Sequence, residues 1–253
     1  MRKTHNQLKC FIVSNYAIIL ARVSIKENLR NIRERIKSLG RDPQDIKLIA
    51  VTKTIPVELI EQAIQAGITD VGENKIQEAI PKNEALKQKY PNVTWHMLGH
   101  LQRNKVKQAL EKFNLIQSVD SERLAKEIDD RRRTIGERRT PILIEVNTSG
   151  EATKYGVKPE EAVKLLQLIS GFASIQVQGL MTIAPMAADP EKTRPCFKKL
   201  KTLSEEIKKL NLPNVKMKYL SMGMTDDFEI AIQEGSNMIR LGRAIFGQRP
   251  PKL

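Results

Sequence analysis

The chain has 253 residues, 40% of them apolar and 28% charged, with a formal charge of +14 and a pI near 9.8. This balance excludes a disordered chain, and two distant cysteines, Cys10 and Cys196, exclude a disulfide framework and favour a reduced, cytoplasmic setting. The length suits one α/β barrel or two smaller domains; the charge favours anions without choosing among nucleic acid, an acidic membrane and a phosphorylated small molecule.

Residues 1–23 begin with basic residues and continue into an apolar stretch, Phe11 to Ala21, interrupted by Ser14, Asn15 and Tyr16. This stretch is short and polar for a membrane span and has no clear secretory cleavage pattern, so residues 1–23 read as an N-terminal extension, an added tail or an upstream start of the reading frame, with a targeting peptide as the alternative. The domain is expected over 24–253. It opens on Ser24 and Glu27 in an SxxE capping pattern, with Ile25, Leu29, Ile32, Ile36 and Leu39 on one helical face and Gly40 as the stop.

The next segment, IKLIAVTKT from Ile46 to Thr54, is a run of strand formers that ends in Lys53 between two threonines. A lysine at the carboxyl end of a buried strand either reaches the rim to pair with a carboxylate or serves as a nucleophilic amine, its proton affinity lowered by burial or a nearby cation. The segment alone leaves both readings open.

From here a strand-then-helix rhythm repeats. Strands are expected over 46–52, 70–73, 93–98, 115–119, 142–146, 175–181, 217–221 and 238–241, and helices over 76–88, 105–112, 121–134, 159–169, 193–210 and 226–234, with another from Pro56 to Gly67. Eight strands with intervening helices predict a single-domain (β/α)8 TIM barrel with an additional N-terminal helix; a doubly wound sheet is the rival.

Barrel chemistry gathers at the carboxyl ends of strands. Ser221 and Gly223 offer a hydroxyl and a closely approached amide after strand seven, and Gly242 allows a second approach after strand eight, which together predict a phosphate cradle. Thr225 is expected to cap the next helix, with Asp226 and Asp227 as structural residues of its first turn. Arg240 belongs to the same mouth, either paired for folding or set opposite an acidic or pyridine group, where its permanent charge disfavours ring protonation. The basic run Arg131, Arg132, Arg133, Arg138 and Arg139 has no interleaved aromatics and reads as solvated surface, so no nucleic-acid partner is expected. His96 and His100 flank Gly99 without an obvious third ligand, so no metal is expected.

Taken in order, TKT at 52–54, GENKIQE at 72–78, WHMLGHLQRNK at 95–105, SMGMTDDFEIAI at 221–232 and IRLGRAIFG at 239–247 resemble the pyridoxal-phosphate homeostasis protein family. These are single-domain relatives of the alanine racemase barrel, and the resemblance runs from Ser24 to Gly247. It implies pyridoxal 5'-phosphate (PLP) as cofactor, Lys53 as the lysine that holds it in a Schiff base, and Asn74 as a polar pocket residue. It further implies Ser221, Gly223 and Gly242 in the phosphate loops and Arg240 near the pyridine nitrogen. Arg243 stands where many relatives carry a small hydroxyl residue, which leaves its amide as the phosphate contact. Lys75 stands where a tyrosine is common. The implied function is a carrier or regulator of the intracellular vitamin B6 pool, with effects on amino-acid and keto-acid balance. The implied partners are PLP, other B6 vitamers and, transiently, PLP-dependent enzymes, with no membrane and the chain as a monomer. The alternative is a PLP-dependent racemase or lyase of low activity, which needs a positioned acid or base. Six residues follow Gly247, so no second domain of the racemase kind is expected.

Overall fold

The computed structural model describes residues 24–136 and 138–248, and the expected extension over residues 1–23 lies outside the described residues. Helix α1, Ile25–Ser38, begins where its cap predicts: the Ser24 hydroxyl accepts from the Glu27 N–H at 3.2 Å. The Glu27 carboxylate turns to Arg30 instead of back to Ser24, so the forward half of the capping box forms.

The chain then alternates β1 (Lys47–Val51), α2 (Val57–Gln65), β2 (Asp70–Glu73), α3 (Ile76–Lys87), β3 (Thr94–Met97), α4 (Val106–Lys112), β4 (Leu115–Val119) and α5 (Glu122–Ile135). It continues through β5 (Thr140–Glu145), α6 (Pro159–Ile169), β6 (Ile175–Met181), α7 (Arg194–Lys209), β7 (Val215–Ser221), α8 (Phe228–Gln233), β8 (Met238–Leu241) and α9 (Arg243–Phe246). The strands pair in parallel in chain order, and β8 returns to β1 to close the barrel. The (β/α)8 expectation is therefore met, with β2, β4, β6 and β8 at their expected bounds. No described helix is long and apolar enough to cross a membrane.

Helix α8 starts later than expected. The Asp227 carboxylate accepts from the Met224 N–H at 2.6 Å and closes a turn ahead of the helix, while the Thr225 hydroxyl accepts from the Ala244 N–H at 3.3 Å. Thr225 thus ties the loop after β7 to α9 and does not cap α8, whereas both aspartates are structural, Asp226 being paired with Arg243.

Strand alternation produces two cores. Outward residues such as Ala50, Val71, Trp95, Ile116, Ile144, Leu180 and Ile239 pack under the helices. Inward residues Ile49, Val51, Leu98, Leu115, Leu143, Met181 and Met238, with Tyr219, fill the lumen. Parity places Lys47 and Lys53 on the same luminal row as Ile49 and Val51, Lys47 at the amino pole and Lys53 at the mouth. A barrel lumen is ordinarily packed with branched aliphatics; this one also buries Asp70, His96, Gln117, Ser221 and Arg240.

The register between β6 and β7 shifts between Val177 and Gly179, where Gly179 adopts a φ of +147°. A Cβ there would lie 1.9 Å from the Tyr219 carbonyl oxygen, a backbone atom that cannot move aside without disturbing β7. Gly179→Ala should therefore destabilise the fold by about 3 kcal/mol or more, measured as a lower midpoint in urea unfolding.

Candidate functional site

Lys53 lies just past β1, half-buried, and the residues on both sides of it are gripped by carboxylates of the GENKIQE segment. On the amino side, the fully buried Thr52 hydroxyl donates to Glu73 Oε1 at 2.7 Å, and its N–H donates to the Gly72 carbonyl at 2.9 Å. Lys82 of α3 completes the clamp, donating to Glu73 Oε1 at 2.6 Å and to the Thr52 carbonyl at 2.7 Å. On the carboxyl side, the Thr54 N–H donates to Glu78 Oε2 at 3.0 Å and Thr54 adopts a left-handed φ of +63°. That conformation is uncommon for a β-branched residue and turns the chain sharply after Lys53. Burial raises the Glu73 pKa against the opposing pull of Lys82 and Thr52.

Arg240 stands on the neighbouring strand, level with Ile49 across the β1–β8 ladder. Its guanidinium is buried at 5% exposure; Nη1 donates to Ser221 Oγ and Nη2 to the Thr182 carbonyl, both at 2.7 Å. Burial pulls its pKa down to about 10 against the raising effect of Asp227 and Glu145, so it stays cationic at neutral pH. Ser221, expected at a phosphate, is fully buried, and its hydroxyl donates to Gln117 Oε1 at 2.6 Å while accepting from Arg240.

The glycine loops lie above this layer. Gly223 has a φ of +96°, and a Cβ there would come within 2.6 Å of the Ala231 Cβ; its carbonyl accepts from the Arg240 N–H at 3.0 Å. Gly242 precedes α9 and its carbonyl accepts from the Ile245 and Phe246 amides, which holds the turn after β8 tight. The Arg243 side chain is exposed and paired with Asp226, so its departure from a hydroxyl residue adds an ion pair between the two loops. Asn74 is half-buried after β2, and its carbonyl lies where a Cβ on Gly99 would be, at 2.2 Å. Lys75 is exposed at the N-cap of α3 and makes no side-chain cap there. The two histidines part company, with His96 buried in the lumen and His100 stacked on Tyr155 at a ring-centroid distance of 4.0 Å.

Three polar residues of the site escaped the sequence reading. Lys82 follows Ala79 by three positions on the buried face of α3, a helical signal that was available. Gln117 and Glu145 share luminal parity with Leu115 and Leu143, which only strand register reveals. Glu145 is buried, with Oε2 unpartnered among the described residues, and burial, reinforced by the Asp120 charge and opposed by Arg240, pushes its pKa up to about 7.

Lys53, a buried guanidinium and two glycine loops thus stand at one barrel mouth. The family model described as "Alanine racemase, N-terminal domain" matches residues 22–250. The chain is 41% identical over 229 residues to the pyridoxal phosphate homeostasis protein of Aquifex aeolicus, covering 88% of this chain and 97% of that one. It is 38% identical over 232 residues to the one of Vibrio alginolyticus, covering 89% and 98%. Among solved structures, PipY of Synechococcus elongatus with PLP bound superposes at a TM-score of 0.78 and 34% identity, covering 88% of this chain and all of that one. The chain belongs to the pyridoxal phosphate homeostasis protein family.

Glu145 gives a pH test. A carboxyl whose folded pKa of about 7 exceeds an unfolded value of 4.5 keeps its proton in the native state after the unfolded chain has lost it, so stability falls as pH rises between those values. The loss approaches about 3 kcal/mol by pH 8. Glu145→Gln, neutral throughout, should raise the melting temperature at pH 8 and leave it nearly unchanged at pH 4.5.

Proposed function

We propose that this protein binds pyridoxal 5'-phosphate covalently through Lys53 and acts in the cytoplasm as a carrier or regulator of the PLP pool rather than as an enzyme. The observation that carries the reading is the clamped placement of Lys53 on the luminal row, beside a strand whose own luminal row presents Arg240 and then Gly242. The names borne by relatives, homeostasis proteins and not enzymes, and the PLP-bound PipY structure support it.

The residues present fit the cofactor: an amine for an aldehyde, a fixed cation for a ring nitrogen, and glycine turns for a phosphate. PLP supplies the aldehyde and the electron-withdrawing ring. Lys53 is the attachment point, and the Glu73–Thr52–Lys82 clamp sets the direction from which its amine approaches. Gly223, Gly242 and the Arg243 amide would hold the phosphate through backbone N–H groups of the loops after β7 and β8. Asn74, just past β2 and so next to the end of β1, would supply a polar group beside Lys53. Arg240 would disfavour a proton on the ring nitrogen, because a second positive charge beside a guanidinium is unfavourable, and the ring would then be a weaker electron sink. Ser221 serves from beneath by holding Arg240. A racemase or lyase would require a proton donor on the β3–β5 side of the mouth, where Glu145, with its pKa of about 7, is the residue to suspect.

Borohydride reduction of the loaded protein followed by peptide mapping should place the adduct on Lys53, and Lys53→Ala should abolish it. Arg240→Gln should raise the pH at which the bound cofactor's absorbance titrates. Across an amino-acid panel, no robust Lys53-dependent racemisation, transamination or elimination is expected; efficient turnover would establish the enzymatic reading and leave the cofactor site standing.

A further inference from the structure

Beneath the mouth, a file of polar side chains crosses the lumen toward the amino pole. Lys47 Nζ donates to Asp70 Oδ1 at 3.0 Å and Oδ2 at 3.1 Å, and Asp70 Oδ1 lies 2.8 Å from His96 Nε2. His96 Nδ1 lies 3.0 Å from Gln117 Nε2, Gln117 Oε1 lies 2.6 Å from Ser221 Oγ, and Ser221 Oγ lies 2.7 Å from Arg240 Nη1. Every member but Lys47 is buried, and the chain steps across β1, β2, β3, β4, β7 and β8 in turn.

The direction of each hydrogen bond follows from its neighbour. Asp70, ionised beside Lys47, can only accept, so His96 Nε2 must carry the hydrogen. A neutral ring then offers Nδ1 as an acceptor, which requires the NH2 group of Gln117 on that side and turns Oε1 toward Ser221. That oxygen takes the Ser221 hydrogen, which leaves the Ser221 lone pairs for Arg240. A protonated His96 would reverse the sequence: Nδ1–H would face an NH2 group, the amide would have to turn over, and Ser221 would receive donors from both sides. The charged groups around the ring are Asp70 from β2 and Lys47 from β1; around Arg240 they are Glu145 from β5 and Asp227 from the loop before α8.

We propose that Asp70, His96, Gln117 and Ser221 form a directional positioning relay that holds Arg240 in one orientation, with His96 locked as the neutral Nε2–H tautomer. The relay lets the guanidinium serve as a rigid partner to the ring nitrogen; this consequence rests on the cofactor reading above, whereas the tautomer does not. Gln117 and His96 touch no ligand in this scheme and act through Arg240. Thr182 fixes the other end of the same guanidinium.

The first test needs no cofactor. In protein labelled with 15N at histidine, with signals assigned by comparison with His5→Gln and His100→Gln variants, His96 should give the neutral Nε2–H pattern unchanged from pH 6 to 8. An Nδ1–H pattern or an imidazolium at pH 7 would overturn the relay. Gln117→Glu, isosteric but acceptor-only, should convert His96 to the doubly protonated ring, because Nδ1 then faces a carboxylate; an unchanged neutral ring in that folded variant would also overturn it. The second test loads PLP. In Gln117→Glu and Gln117→Leu the Lys53 adduct should persist while the titration midpoint of the bound cofactor moves by about one pH unit, a tenfold change in proton affinity. Ser221→Ala should move it similarly. Midpoints unchanged in folded Gln117 variants would refute the link to Arg240, while failure of the wild type to form the adduct would refute the cofactor reading and leave the histidine spectrum to decide the relay.

Discussion

The buried guanidinium of Arg240 is the constraint around which this barrel is arranged. An uncompensated cation in a lumen of Ile49, Leu115, Leu143 and Met181 would be prohibitively costly, so its buried donors call for acceptors and its charge for carboxylates. Ser221 and the Thr182 carbonyl accept one N–H each from Nη1 and Nη2, and Glu145 and Asp227 supply the field. The need propagates outward. With its carbonyl turned to Arg240, Thr182 directs its hydroxyl to the Val146 carbonyl at 2.7 Å and meets the Thr148 hydroxyl at 2.9 Å, which knits the ends of β5 and β6.

The two faces of the strands have separate roles. The luminal face sets the charge that a ligand meets, and the outward face sets where Lys53 stands. The Glu73–Lys82 pair serves the placement of Lys53. Both partners are buried, Glu73 Oε2 has no partner among the described residues, and burial raises the pKa of the acid. Such a pair is weak evidence for stability, since the desolvation of two ions consumes most of their attraction. What it supplies here is position, because Lys82 binds the carbonyl and Glu73 the hydroxyl of the residue immediately before Lys53.

The barrel was legible in the sequence because strand formers and helical faces alternate eight times, and its boundaries shift little since each strand ends where polar residues begin. Lys53 and the glycine loops were legible for the same reason, standing at those ends. Ser221 was located correctly but its partners were not readable, because a serine ahead of Met222 and Gly223 looks like part of a loop until the register places it above Tyr219 on the luminal row. Gln117 was invisible for a deeper reason: its partner Ser221 is 104 positions away, and no local pattern reports a contact that exists only when the barrel closes. Thr225 misled because a threonine before two aspartates is the ordinary start of a helix, and here the Asp227 carboxylate takes the Met224 amide first.

Of Glu145 and Arg240, it is Glu145 that changes charge near neutral pH. The guanidinium holds its proton to about 10, well above the physiological range, whereas the carboxyl changes state around 7. A ligand bearing a phosphate dianion adds negative charge to a mouth that already contains Asp120 and Asp227, which favours the protonated carboxyl and leaves the arginine as a constant reference. Of these two groups, the carboxyl on β5 is the one whose proton would respond to ligand charge near neutral pH, while the cation on β8 keeps its charge. The two groups remain coupled, because protonation of Glu145 removes one of the negative charges that offset the Arg240 guanidinium.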